Sequence, residues 1–155
     1  MKNVFFYDTT IGKIGIAEDG TFITNVYFED EKGAKDANLI ETPLLKEAAK
    51  QINEYFNGDR KNFELPISPF GTEFQQSVWK ALQEIPYGET RSYKEIAIAV
   101  GNEKACRAVG MANNKNPISI IIPCHRVIGT NGKLVGYAGG LKIKDYLLNM
   151  EKTHL

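Results

Sequence analysis

Ile118-Ser119-Ile120-Ile121-Ile122-Pro123-Cys124-His125-Arg126-Val127 is the stretch around which the rest of the chain is organised. Its β-branched residues favour an extended segment, and Pro123, which has no N–H to donate, stops that segment from pairing further. Cys124 is therefore expected where a buried segment emerges at the edge of the core. His125 and Arg126 follow at once. A free thiol has a pKa of about 8.5, so nearby positive charge is what would make it a nucleophile at neutral pH. Taken by itself, the stretch is equally compatible with a buried structural cysteine beside a histidine. Its surroundings decide between the two.

A chain of 155 residues suffices for one core, or for a core with a small companion domain. Hydrophobic residues at 43% and charged residues at 25% are ordinary for a globular protein. Two cysteines, Cys106 and Cys124, make no disulfide framework, and no signal peptide is visible, so reduced thiols and a cytoplasmic location are expected. No apolar run approaches membrane-spanning length. The formal net charge of zero hides an asymmetry. Residues 1–86 carry 9 Lys/Arg against 14 Asp/Glu, whereas residues 87–144 carry 9 against 3. A basic block beside an acidic one is what a local anion-binding face requires.

The first part, residues 1–65, reads as a small strand–helix scaffold. Val4–Tyr7, Ile14–Ala17 and Ile23–Phe28 have strand composition and are separated by turn residues at Gly12 and Asp19-Gly20. Thr42 then caps a helix with Pro43 at its first position, and Leu44, Leu45, Ala48, Ile52, Tyr55 and Phe56 form its apolar stripe as far as Asn57-Gly58. This half contains no His or Cys, so no metal set is expected in it. A loop from Leu65 to Gly71, with Pro66 and Pro69, marks a boundary, and residues 71–155 read as a second, mostly helical domain. The fold class is thus α/β (α+β), a strand–helix domain followed by a helical one.

In the second part Thr72 opens a helix whose Phe74, Val78, Leu82 and Ile85 form one face. Ser92-Tyr93-Lys94-Glu95 is a capping box, serine reaching forward and glutamate back. A turn at Gly101-Asn102-Glu103 leads to a second helix from about Lys104 to Asn113 that carries Ala105, Arg107, Ala108 and Gly110. Two short helices joined by a glycine-containing turn within a basic block predict a helix-turn-helix at about 92–113. Its second helix lacks the long polar side chains that read bases, so it suits a sequence-indifferent fit with phosphates supplying affinity. Gly136-Tyr137-Ala138-Gly139-Gly140 lacks a phosphate-loop spacing and reads as the wall of a pocket. A final helix, Leu141 to Glu151, is expected to turn Leu141, Leu147 and Leu148 inward, and Glu151 could orient His125 in a nucleophile–base–orienter relay.

Pro123-Cys124-His125-Arg126-Val127 resembles the active-site signature of the O6-alkylguanine-DNA alkyltransferases, also called methylated-DNA–protein-cysteine methyltransferases. The resemblance runs from about Gly71 to Glu151. It includes Phe74-Gln75, Val78-Trp79, Ile85-Pro86-Tyr87-Gly88, Ser92-Tyr93, Arg107-Ala108-Val109-Gly110, Asn116-Pro117 and Tyr137-Ala138-Gly139-Gly140-Leu141. It implies DNA repair by direct transfer of an alkyl group from O6-alkylguanine, with O4-alkylthymine as a further substrate, to Cys124, one reaction per molecule. It further implies His125 as base through a water, Glu151 as orienter, Tyr93 as donor to the leaving base and Asn116 as brace of the active-site turn. Arg107 would fill the stack vacated by a flipped nucleotide. Val127, Tyr137 and Ala138 would line the guanine pocket, and Lys104, Ala105, Ala108 and Arg126 would join the DNA-binding set. The expected partner is double-stranded DNA bound by a monomer with no cofactor. Two departures are visible. Ala138 stands where some relatives carry serine, and the N-terminal half lacks the zinc ligands that some possess.

Two other classes compete with this reading. A Cys-His hydrolase would leave the helix-turn-helix without a purpose, and adjacent Cys and His seldom face each other productively. A non-catalytic lesion-binding protein of the same fold would have lost the acceptor cysteine, whereas position 124 is Cys.

Overall fold

Apolar alternation and two tight turns pair the first three strands into an antiparallel meander. The computed structural model describes residues 2–28 and 36–155. Strands β1 (Asn3–Thr9) and β2 (Gly12–Glu18) are longer than their sequence patterns suggest, and β3 (Ile23–Phe28) has the bounds read from sequence. Thr9 Oγ1 donates to the Gly12 carbonyl at 2.6 Å, and Asp19 Oδ1 accepts from the amides of Thr21 and Phe22, which closes the two turns. Phe6 lies opposite Gly15 in the β1–β2 register, and a Cβ on Gly15 would stand 2.7 Å from the Phe6 ring. Glycine is needed there for cross-strand contact rather than for a turn. A two-residue strand β4 (Asn38–Leu39), absent from the sequence reading, pairs parallel with β1 to give the order β3-β2-β1-β4.

Helix α1 (Pro43–Phe56) begins as expected, with Thr42 Oγ1 accepting from the Leu45 amide. It packs on β1 and β2, and Leu45, Ala48, Ile52 and Tyr55 are buried with Val4, Ile14, Ile16 and Val26. The open side of β3 is covered by two loop segments. Ile23 exchanges bonds with Pro66 and Ser68, and the Val26 amide donates to the Pro117 carbonyl at 2.9 Å.

That last bond changes the domain division. The chain forms two compact units, one holding the described residues up to Phe70 together with Pro117–Ile121, the other holding Gly71–Asn116 and Ile122–Leu155. A single cut between residues 65 and 71 therefore misplaces 117–121. The expected extended run at 118–122 is also interrupted. Ile118 bridges to Val26, but Ile120 has φ 75° and the Ile121 amide donates back to the Ser119 carbonyl, a γ-turn. A β-branched residue with positive φ is strained, and burial of Ile120 holds it there.

In the second unit α2 (Glu73–Gln83) starts with a capping box between Thr72 and Gln75. Its buried face is Val78, Trp79 and Leu82; Phe74, assigned to that face from sequence, is partly exposed. Strand β5 (Arg91–Ser92) leads into α3 (Tyr93–Ala99), which Ser92 and Glu95 cap reciprocally. Gly101, at φ 89°, ends α3 in a Schellman motif, with Asn102 N–H bonding the Ala97 carbonyl and Gly101 N–H the Ile98 carbonyl. Helix α4 (Cys106–Asn114) packs against both α2 and α3, so the pair at 92–113 is built as an αα-hairpin. A 3₁₀ turn (Cys124–Arg126) precedes β6 (Val127–Ile128), which pairs parallel with β5. This pairing sets the start of α3 beside the cysteine turn. Helix α5 (Leu141–Thr153) then packs on that turn, burying Lys144, Leu147, Leu148 and Glu151 but leaving Leu141 48% exposed. No helix is long and apolar enough to cross a membrane among the described residues.

Trp79 ties α2 to α4, since its buried Nε1–H donates to the Ala112 carbonyl at 2.9 Å. Trp79→Phe removes the donor and part of the ring volume. It should lower the unfolding free energy by about 1–3 kcal/mol, measured by denaturant titration followed by circular dichroism.

Candidate functional site

The backbone fixes Cys124 before any side chain acts. Pro123 has φ −79° and ψ 64°, and the Cys124 amide donates to the Ile122 carbonyl at 2.8 Å, an inverse γ-turn that runs straight into the 3₁₀ turn. Two asparagines from the end of α4 clamp this corner. Asn116 Nδ2 donates to the Ile122 carbonyl at 2.8 Å, and Asn113 Nδ2 to the Cys124 carbonyl at 3.3 Å. Cys124 is buried, in a turn that neither of its neighbours can leave without breaking bonds.

Those neighbours share one carboxylate. His125 and Glu151 are each 0% exposed, with Nε2 and Oε2 2.7 Å apart. Arg126 donates from Nε and Nη2 to both oxygens of Glu151, and from Nη1 to the Ile85 carbonyl at 2.8 Å. The Gly88 amide adds a bond to Oε1 at 3.1 Å, and the Arg126 guanidinium lies 5.6 Å from the centre of the Tyr87 ring. Burial opposes ionisation of Glu151, but His125 and Arg126 overcome it and hold the carboxyl down at about 2. His125 is shifted the other way. Burial lowers its pKa, with the cations of Arg126 and Lys144 adding to that, against the pull of Glu151. The imidazole is therefore neutral at pH 7. Because an ionised carboxylate only accepts, Nε2 carries the proton and Nδ1 is the basic nitrogen.

A second cluster joins the start of α3 to α5 and the loop before it. Tyr93 Oη donates to the Val135 carbonyl at 2.8 Å, and Lys144 Nζ donates to the same carbonyl at 2.9 Å and to Gly136 at 3.3 Å. Burial raises the pKa of Tyr93, and a charge on Cys124 would act in the same direction. Lys144 is 0% exposed, and burial lowers its pKa to about 8, while Cys124 favours its charged form. A drop from 10.5 to about 8 corresponds to a cost of roughly 3 kcal/mol for keeping the ammonium there.

The structure thus brings Cys124, His125, Glu151, Asn116, Val127 and Tyr93 together in one unit. Arg107 and Ala108 instead lie on the exposed face of α4, continued by Met111; Lys104, in the turn before the helix, and Lys115, its C-cap, are also exposed, and Ala105, its N-cap, is half-buried. Tyr137 is half-buried and Ala138 exposed in the loop before α5. Arg126 needs correction. It was expected to provide positive charge to the thiol and to contact DNA, but it is buried and its guanidinium is taken up by Glu151, Ile85 and Tyr87. Asn113, Gly88 and Lys144 were missed. Helical spacing could have found two of them. Asn113 shares the inward stripe of Val109, Ala112 and Asn116, and Lys144 that of Leu147, Leu148 and Glu151. Among the described residues no group of three or more His, Cys, Asp or Glu is placed to hold a metal ion.

Comparison with known proteins agrees with this geometry over nearly the whole chain. Residues 73–153 match the family described as 6-O-methylguanine DNA methyltransferase, DNA binding domain, and residues 5–69 its ribonuclease-like domain. A methylated-DNA–protein-cysteine methyltransferase of Methanosarcina acetivorans is 53% identical over 94% of this chain and 95% of its own length. A constitutive methylated-DNA–protein-cysteine methyltransferase of Bacillus subtilis is 50% identical over 94% and 92%. A Mycobacterium tuberculosis OGT crystallised in complex with DNA is 45% identical, covers 98% of this chain and 94% of that one, and superposes with a TM-score of 0.92.

The carboxyl of Glu151 is held near 2 when folded against an ordinary 4.5, so its stabilisation is present above pH 4.5 and is lost as the pH falls toward 2. The shift corresponds to about 3 kcal/mol. Glu151→Gln should therefore be destabilised by about that much at pH 7, with the gap to the parent closing in acid. Chemical denaturation of both proteins across this pH range measures it.

Proposed function

This chain belongs to the 6-O-methylguanine DNA methyltransferase family, and on that premise we propose that Cys124 accepts the alkyl group of O6-alkylguanine from double-stranded DNA, once per molecule. The observation that carries this reading is the double duty of α4. Its inner face clamps the Cys124 turn through Asn113, while Arg107 stands on its exposed face and Lys104 and Lys115 are exposed just beyond its two ends. A helix laid against phosphates by those cations would carry the thiol's backbone support with it.

The chemistry follows from the protonation states. His125, neutral with its proton on Nε2, takes the thiol proton at Nδ1 through a water, and Glu151 stabilises the imidazolium that results. The Cys124 sulfur then attacks the alkyl carbon in line. The S–C bond forms, the C–O6 bond breaks, and its electron pair goes to the guanine, which gains a proton as it leaves. Tyr93 is the donor, turning its hydroxyl from the Val135 carbonyl to the base. The product thioether has no hydrolytic exit, so the thiol is consumed. Reaching a base inside a duplex requires extruding the nucleotide, at a cost of a few kcal/mol. Arg107 on the outer face of α4 fills the gap.

Intact-mass spectrometry after incubation with a duplex carrying O6-methylguanine should show one added methyl, localised to the peptide holding Cys124. Cys106→Ala should transfer normally, because that thiol lies at the start of α4, 3.7 Å from the Glu103 carbonyl. A label on Cys106, or an unchanged mass, would overturn the reading.

Arg107 and His125 should fail differently. Arg107→Ala should slow transfer from duplex DNA by about tenfold or more while leaving reaction with free O6-alkylguanine base near the parent rate. His125→Ala should slow both substrates by about 10²- to 10⁴-fold, with partial recovery as the pH approaches the thiol's own pKa. Single-turnover rates on the two substrates separate these outcomes.

A further inference from the structure

Asn113 carries an acceptor that its clamp on the cysteine turn does not use. The residue is 2% exposed, and its Nδ2 donates to the Cys124 carbonyl at 3.3 Å. A carbonyl only accepts, so the amide nitrogen must face Cys124 and Oδ1 is turned the other way. Among the described residues no donor reaches that buried oxygen. The clamp explains the nitrogen and leaves the oxygen unexplained. A buried acceptor without a donor is costly, and native interiors rarely keep one.

The donors around it are committed elsewhere. The Tyr93 ring stands over α4 at Gly110, where a Cβ would come within 3.8 Å of it. Gly110 and Asn113, three residues apart, share one face of the helix, so Tyr93 borders the same side. Its hydroxyl proton goes to the Val135 carbonyl. Lys144 Nζ lies on the carbonyls of Val135 and Gly136, and Asn116 Nδ2 on that of Ile122. His125 turns Nε2 to Glu151.

An O6-alkylated guanine in a strand can offer such an acceptor one kind of partner. Alkylation at O6 leaves N1 without its hydrogen, and N9 is bonded to the sugar. The exocyclic amine then holds the only N–H bonds of the base. Amine and O6 flank N1 on a single edge of the ring, the edge that base-extruding enzymes read by hydrogen bonds. With the alkyl carbon at the Cys124 sulfur, the amine lies within one base edge of it. Asn113 is held at similarly short range, on the carbonyl of the same cysteine.

We propose that Asn113 is a base-binding residue: Oδ1 accepts a hydrogen bond from the exocyclic amine of the extruded guanine, while Nδ2 keeps hold of the Cys124 carbonyl. One amide thereby registers the alkyl carbon against the sulfur. This role rests on the reading of Cys124 as the alkyl acceptor. Tyr93, turning from the Val135 carbonyl to the base, uncovers Oδ1. Because that oxygen is buried before the base arrives, the new bond replaces an unmet one rather than a bond to solvent.

The test compares duplexes carrying O6-methylguanine and O6-methylhypoxanthine, which differ by that amine alone. In the parent, single-turnover transfer should be about tenfold slower without the amine. In Asn113→Leu the two bases should react at nearly equal rates. Loosening of the cysteine turn in that variant slows both bases together, so the ratio isolates Oδ1. The same ratio in parent and variant overturns the proposal while Cys124 remains the acceptor. No transfer from either base to the parent overturns that reading, and this one with it. If Asn113→Leu does not fold, Cys124→Ser, which cannot form the thioether, is followed by NMR on both duplexes. The Asn113 Cγ resonance should move to lower field with O6-methylguanine and not with O6-methylhypoxanthine. An identical position in the two complexes overturns the proposal.

Discussion

The buried carboxylate of Glu151 accepts hydrogen bonds from three residues on two segments far apart in sequence: His125 and Arg126 on the cysteine turn and Gly88 in the loop after α2. An isolated carboxylate in the interior would be expensive to ionise, and this one is held ionised by its donors. Each donor is in turn positioned by it. Held there, Arg126 also reaches the Ile85 carbonyl and the Tyr87 ring, and His125 is left with a defined tautomer. Removing the carboxylate would strand a buried guanidinium and free the imidazole to choose the other nitrogen. The geometry of the thiol thus depends on an interaction made two residues away from it along the chain.

The second constraint is the economy of α4. A nine-residue helix without a side-chain cap at its start is marginal alone. It is held by Trp79 from α2, by contact with α3 through the Gly101 turn, and by its own asparagines on the cysteine turn. Its small residues let it pack this closely while its outer face stays free for cations. Any shift of the helix on a nucleic acid surface would be passed to the Cys124 carbonyl through Asn113, a single side chain away.

Much of this was legible beforehand. The capping box at Ser92, the Thr42 cap with Pro43 after it, the helix start at Thr72 and the turn at Gly101 are local signals, and each forms as read. The pairing of Glu151 with His125, offered from spacing alone, is present at 2.7 Å. Other readings went astray where local pattern and packing disagreed. The isoleucines at 118–122 look like a strand, but only Ile118 bridges, and the chain turns at Ile120. Phe74 and Leu141 carry helical apolar spacing yet sit at the edges of their stripes, partly in solvent.

The sequence by itself determined the first three strands and the main helices in their order, the mixed α/β class and the family. Periodicity, caps and turn residues act within a few positions, so they can be read without knowing what lies across the core. Tertiary structure decided that 117–121 belongs with the strand unit, that Arg126 serves Glu151 rather than a surface, and that Lys144 is buried on the carbonyls of Val135 and Gly136. These assignments rest on bonds such as Arg126 to Glu151, Arg126 to Ile85 and Gly88 to Glu151, made across 25, 41 and 63 residues of sequence. Which charge meets which at such separations is settled by burial and by the need to satisfy every buried polar group. No local pattern carries that information.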